Sequence, residues 1–287
     1  MREVVMGVRR IAVIGAGTMG GGISEVAARS GYEVVLKDMS EEYVGAGLAR
    51  IRGRLDKRVA ERKIGAEERE RILANIRTTT DLKECAEADL VIEAVIEQEE
   101  TKREIFQELD VLCPEDTIFS TNTSAISITR LGGATKRPGR FIGMHFMNPA
   151  YIMKLVEVVR GLRTSEETVK TIIGVSEKMG KTAVVVKDFP AFISSRLIMH
   201  VVNEAIFALQ EEVASRDSID TIMKLGAHHP MGPLELADLM GLDICLATLE
   251  LLHAELGEKY RPCVLLRQMV AAGKLGRKSR EGFYEYQ

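Results

Sequence analysis

His145 closes the apolar run Phe141-Ile-Gly-Met-His145, and Glu157 interrupts a second apolar run, Leu155-Val-Glu-Val-Val159. An imidazole titrating near ~6.5 suits the transfer of a hydroxyl proton while hydride leaves the carbon that bears it. A carboxylate inside an apolar strand is costly unless it meets a partner. If the chain folds back between the two runs, an antiparallel register centred on Tyr151 sets His145 opposite Glu157. The carboxylate would then fix the tautomer of the ring and favour its protonated form. An exposed glutamate on an edge strand and a structural histidine are the competing readings.

A second constellation lies near the start. Gly15-Ala-Gly17-Thr18-Met19-Gly20 follows an apolar run and opens a helical pattern, and Asp38 ends the next apolar run, 23 residues after Gly15. Glycines at this spacing permit a tight turn and close approach of backbone to a pyrophosphate at a helix N-terminus, and the acid accepts hydrogen bonds from ribose hydroxyls. Asp38 would repel a 2′-phosphate, which favours NAD over NADP, although Lys37 partly offsets the repulsion. The glycines alone do not exclude a flavin.

Other chemistry-bearing residues are less organised. His228-His229-Pro230 sits at an interhelical turn with no carboxylate at a suggestive spacing, while His200 and His253 lie in amphipathic helical patterns. Glu93 and Glu97 flank a strand end, where α/β sheets commonly meet ligands. The cysteines, Cys85, Cys113, Cys245 and Cys263, are scattered without metal-ligand spacing and read as reduced thiols of a cytoplasmic protein with no metal.

The elements that position these groups follow from pattern. Strands are expected at 10–15, 33–38, 88–94, 117–121, 141–145, 154–159 and 182–187, with helices at 19–30, 41–63 and 98–112 between several of them. Beyond Asp188-Phe-Pro190 the pattern turns helical, over 192–213, 218–225, 233–256 and 263–272. The 287 residues suggest two domains at about 150 residues each. The expected architecture is therefore α/β: a Rossmann-type dinucleotide-binding domain over 1–187 and a smaller all-α domain over 188–287.

Bulk properties narrow the partners. A formal charge of −3 offers no overall positive field for nucleic acid, and no stretch approaches the ~18 uninterrupted apolar residues of a membrane span. The segment Met1 to Arg10 has charges at Arg2, Glu3, Arg9 and Arg10 and does not read as a secretory signal.

With these residues assembled, the sequence resembles the L-3-hydroxyacyl-CoA dehydrogenase family, closest to its bacterial 3-hydroxybutyryl-CoA branch, over nearly the whole chain. The resemblance rests on Val13 to Gly20, Asp89-Leu-Val-Ile-Glu-Ala94, Ser120-Thr-Asn-Thr-Ser124, Gly143 to Pro149, Met153 to Val158, Lys224 to Pro233 and Gly241-Leu-Asp243. It implies that His145 is the general base, Glu157 its orienting partner, and Ser124 a hydrogen-bonding group near the reacting oxygen. It further implies dinucleotide contacts from Glu97, Lys102, Asn148 and Lys278, contacts from Arg54, Lys57 and Arg58 to CoA phosphates, and a dimer through the C-terminal domain. The implied reaction is NAD-dependent interconversion of (S)-3-hydroxyacyl-CoA, short chains foremost, with 3-oxoacyl-CoA.

The sequence departs from the family at three places. Ser195 replaces an asparagine that helps hold the substrate oxygen and the histidine, and a serine hydroxyl is shorter than an amide and needs a bridging water. Activity is expected to survive with altered rate or substrate preference. Ala191 replaces a glycine, which predicts a backbone that needs no positive φ there, and Arg280 stands where the family has glycine, close to Lys278. A dehydrogenase of non-CoA hydroxy or sugar acids, and a non-catalytic dinucleotide-binding protein, are the alternatives at this point.

Overall fold

The computed structural model describes residues 7–287, so the part of the N-terminal reading that falls on residues 1–6 lies outside it. The chain divides after Asp188 into two compact units. The strands of the first are β1 (Arg10–Ile14), β2 (Glu33–Lys37), β3 (Ile76–Thr79), β4 (Leu90–Glu93), β5 (Ile118–Thr121), β6 (Phe141–Phe146), β7 (Leu155–Arg160) and β8 (Thr182–Lys187). Its helices are α1 (Thr18–Arg29), α2 (Glu41–Ala60), α3 (Ala66–Ala74), α4 (Glu99–Leu112), α5 (Ile128–Gly133) and α6 (Glu166–Lys178). Of these, β3, α3, α5 and α6 are additions to the elements expected from the sequence.

One sheet carries all eight strands in the order β3-β2-β1-β4-β5-β6-β7-β8. The first six are mutually parallel, β7 runs antiparallel to β6, and β8 runs parallel to β7. Central strands are covered on both faces, which is why β1, β4 and β6 read as nearly continuous apolar runs. The order reverses between β1 and β4, and ligands of such sheets bind beyond the carboxyl ends of the strands at that switch. Ser40 and Ser165 start α2 and α6 by accepting the amides of Tyr43 and Thr168, with paired glutamates in each first turn.

The second unit holds α7 (Ser194–Gln210), α8 (Arg216–Gly226), α9 (Pro233–Met240), α10 (Leu242–Leu256) and α11 (Val264–Ala271). Its core includes Met199, Val202, Ile206, Leu234, Leu249 and Leu266. Two expectations are corrected here. The single helix expected over 233–256 is two, broken at Gly241, whose φ of 101° leaves the helical region while its N–H still closes α9 on Ala237 O. The backbone at Ala191 does adopt positive φ, 56°, followed by Phe192 at 52°. This turn leads into α7 and is held by hydrogen bonds from Phe192 N to Phe189 O and from Arg196 N to Ala191 O, which offset a left-handed cost of about 1–2 kcal/mol per non-glycine residue. Arg280 also stands at positive φ, 62°.

Candidate active site

The turn from β1 to α1 is built around its glycines. Gly15 has φ 104°, and a Cβ there would lie 2.6 Å from Ala94 O; one on Gly20 would lie 1.7 Å from Gly15 O. Those two glycines let the turn close on itself. Gly17 differs, since a Cβ on it would meet nothing within 4 Å, and no side chain caps α1 at this residue. The exposed amide end flanked by Thr18 and Met19 is therefore an open cradle for an anion, which a side chain on Gly17 would fill. Asp38 lies just past β2, its Oδ2 accepting Ala16 N at 2.6 Å and its Oδ1 accepting Met39 N at 2.7 Å. These bonds leave lone pairs on both oxygens for ribose hydroxyls, so the residues present fit a dinucleotide.

At the other side of the sheet, the β6–β7 register sets His145 opposite Glu157, in the pairing centred on Tyr151. Their side chains meet at 2.8 Å, His145 Nδ1 to Glu157 Oε2, and both residues are buried. The carboxylate accepts the Nδ1 proton, which leaves Nε2 as the basic nitrogen of the neutral ring. Nε2 lies 3.1 Å from Ser124 Oγ, in the turn after β5. Ser124 is exposed, so the serine and the basic nitrogen sit at the mouth of a pair sealed behind them.

The loop bearing Ser124 is held by carboxylates at the end of β4. Glu97 Oε1 accepts Ser124 N at 2.9 Å and the hydroxyl of Thr123, and Thr123 Oγ1 in turn accepts Ile126 N at 2.9 Å. Lys102, in the first turns of α4, is only 1% exposed and contacts Glu93 Oε1 at 2.7 Å and Glu97 Oε2 at 3.2 Å. Its ammonium is thus engaged inside the protein by two carboxylates, one of them the solvent-exposed Glu97. Burial pushes the Glu93 carboxyl up from its ordinary range, with the Lys102 ammonium and Thr121 hydroxyl opposing.

The remaining candidates fall into different surroundings. Asn148 is exposed in the β6–β7 connection. Arg54 pairs with the fully buried Glu25 at 2.6 Å and lies over the Tyr151 ring at 4.6 Å, so its guanidinium is engaged in packing α2 against α1. Lys57 is exposed, with a long 3.9 Å pair to Glu61, and Arg58 is half-buried. In the second unit, Ser195 is the second residue of α7, Lys278 pairs with Asp243 Oδ2, and His228 and His229 stand in the α8–α9 connection.

Several supports have no signature in composition or spacing. Asn122 Oδ1 accepts Phe146 N at 2.9 Å and ties the turn after β5 to β6, while the buried Lys181 ammonium donates to Met153 O at 2.7 Å and to Ala150 O in the β6–β7 connection. Only the run Ser120-Thr-Asn-Thr-Ser124, dense in hydrogen-bonding side chains, hints at the first of these.

Residues 10–189 match the 3-hydroxyacyl-CoA dehydrogenase NAD binding domain, and residues 192–286 match the C-terminal domain of the same family. The chain belongs to the 3-hydroxyacyl-CoA dehydrogenase family. Within that family it is 49% identical to a probable 3-hydroxybutyryl-CoA dehydrogenase of Bacillus subtilis, over 98% of this chain and 99% of that protein. It is 48% identical to the 3-hydroxybutyryl-CoA dehydrogenase of Bradyrhizobium diazoefficiens, over 97% and 96%. The crystal structure of (S)-3-hydroxybutyryl-CoA dehydrogenase from Ralstonia eutropha superposes with a TM-score of 0.95 at 42% identity, covering 98% of this chain and 100% of that one. The dinucleotide-binding part is a Rossmann-type α/β unit and the C-terminal part is helical.

Proposed function

We propose that this chain is an NAD-dependent dehydrogenase that converts (S)-3-hydroxyacyl-CoA, 3-hydroxybutyryl-CoA foremost, to the 3-oxoacyl-CoA and back. The observation that carries the reading is the His145 ring held between Glu157 and Ser124. NAD⁺, when bound, supplies the hydride acceptor. In oxidation His145 Nε2 accepts the hydroxyl proton, and Glu157 stabilises the imidazolium that forms. In reduction the imidazolium polarises the ketone and returns that proton. Ser124 orients the oxygen, and Ser195 is its second candidate partner. Gly15, Gly17, Thr18, Met19 and Gly20 shape the pyrophosphate cradle, Asp38 takes the adenosine ribose, and Glu97 and Asn148 serve the nicotinamide half.

Family resemblance supports the dinucleotide role of Lys278, and Lys57 with Arg58 is the better-placed part of the CoA-phosphate site, because Arg54 already neutralises Glu25. The helical unit acts in substrate binding and self-association. Exposed apolar side chains on its helices, Leu197 and Val201 one turn apart on α7, Leu239 on α9 and Ile244 on α10, support a homodimer. Among the described residues no helix is long and apolar enough to cross a membrane, and four buried thiols fit a reducing cytoplasm.

Reduction of acetoacetyl-CoA followed by NADH consumption tests the activity. Turnover of the thioester is expected with NADH well above NADPH, and with little activity on free hydroxy acids. Equal turnover of the free acids would reject the CoA assignment, and a monomer by light scattering would reject the dimer.

A further inference from the structure

Glu93 has no assigned role, yet its carboxylate is fully buried at the carboxyl end of β4, next to the point where the strand order reverses. Every hydrogen bond to it comes from the framework of the site: Val95 N at 2.6 Å and Lys102 Nζ at 2.7 Å on Oε1, and Thr121 Oγ1 at 2.6 Å on Oε2. A sealed ion pair is a poor way to gain stability, because apolar residues of the same volume often do as well. What it supplies here is direction. Two carboxylates face one ammonium, and only the second, Glu97, is open to solvent, with 44% of its side chain exposed.

The geometry closes into a continuous series of contacts within the first unit. Glu93 holds Lys102, Lys102 holds Glu97 Oε2, Glu97 Oε1 holds the Ser124 amide and the Thr123 hydroxyl, and Ser124 Oγ meets His145 Nε2. We infer that Glu93 is a positioning residue for proton transfer: by anchoring Lys102 it leaves Glu97 extended toward the Ser124 loop and the cofactor. Without the Glu93 charge, Lys102 loses its buried seat and no longer fixes Glu97 Oε2, and both the loop and the nicotinamide side of the site lose their support. The inference rests on the dehydrogenase reading above.

Glu93→Gln in the full-length protein tests it, because the amide keeps the shape and removes the charge. Fluorescence titration should give an NADH Kd raised about fivefold, and acetoacetyl-CoA assays a kcat lowered about tenfold with its KM nearly unchanged. The double variant Glu93→Gln/Lys102→Met removes both buried charges. Its thermal midpoint should return toward wild type, while Kd and kcat stay at the Glu93→Gln values because Glu97 still lacks its anchor. Wild-type Kd and kcat in Glu93→Gln would overturn the inference, as would their recovery in the double variant, which would make the pair simple charge compensation. If Glu93→Gln does not fold, the double variant alone decides. A wild-type chain that binds NADH without reducing acetoacetyl-CoA would overturn the dehydrogenase reading instead, and the NADH titrations would still decide the role of Glu93.

Discussion

Glu157 and Glu93 are both buried carboxylates near the ligand edge of one sheet, and they neutralise their charge in opposite ways. Glu157 faces His145, a ring whose charge would come and go with each turnover in the proposed reaction; Glu93 faces the ammonium of Lys102, which that reaction leaves untouched. The first arrangement stores an electrostatic response for the moment a proton arrives, and the second fixes a geometry and leaves it. A buried carboxylate is therefore read by its partner: a titrating partner marks chemistry, a permanent ion marks scaffolding around it.

The largest effect that could break this contrast comes from the hairpin. His145→Gln should lower kcat for acetoacetyl-CoA by roughly 10³-fold and Glu157→Gln by roughly 10²-fold, with NADH Kd little changed in both. A Glu157→Gln variant that weakens NADH binding as much as it slows turnover would place both carboxylates in the same supporting role. Ser124→Ala should cost about tenfold in kcat, because Glu97 still holds the backbone amide and only the hydroxyl on Nε2 is lost. A loss as large as that of His145→Gln would mean that the serine does more than orient.

Burial without a charged partner in contact sharpens the same point. Desolvation pushes the thiols of Cys85 and Cys245 up to about 12 and that of Cys113 to about 11, from an ordinary 9.0. The folded state holds these protons where the unfolded chain has released them, so their contribution is complete below pH 9 and declines as pH rises toward the folded values. Stability should fall by about 1 kcal/mol per thiol by pH 10, seen as falling urea midpoints between pH 8.5 and 10. A Cys85→Ala variant should show a shallower decline, and an identical slope would reject the assignment. The smallest expected effect is that of Ser195→Asn, about threefold in kcat or KM, and unchanged constants would put this position outside the site.

How far these roles could be read in advance depends on what each contact spans. The His145–Glu157 pair was legible because a hairpin imposes parity: once the turn centre is guessed, the facing residues follow. The fingerprint at Gly15 to Gly20 was legible because steric demands restrict it to glycine, as the close approaches to Ala94 and Gly15 oxygens show. The Glu93–Lys102–Glu97 cluster was not, since it joins a strand end, a loop and a helix whose relative placement no local pattern encodes. Elements follow the same rule. In α6, Val169, Ile172 and Val175 recur at helical spacing behind Ser165 and were available to be read, whereas five of the nine residues of α3 are charged and β3 is a four-residue edge strand with one apolar residue. At 233–256 the apolar period runs across Gly241, so periodicity hid the break. Ala191 shows the limit of substitution logic, because an alanine where the resemblance implies glycine still stands in the left-handed region.

The uncapped start of α1 has a consequence beyond recognition. In α2, α5, α6 and α8 a serine ties off one of the first amides, but at Gly17 no side chain does so and the amides stay open to an anion. A bound dinucleotide thus finishes the fold as well as equipping it for reaction, adding about 2.7 kcal/mol when present at a hundred times its dissociation constant. The lifetime of the polypeptide becomes tied to the supply of its coenzyme, and depletion of the pool would thin the population of the enzyme before it slowed any individual molecule.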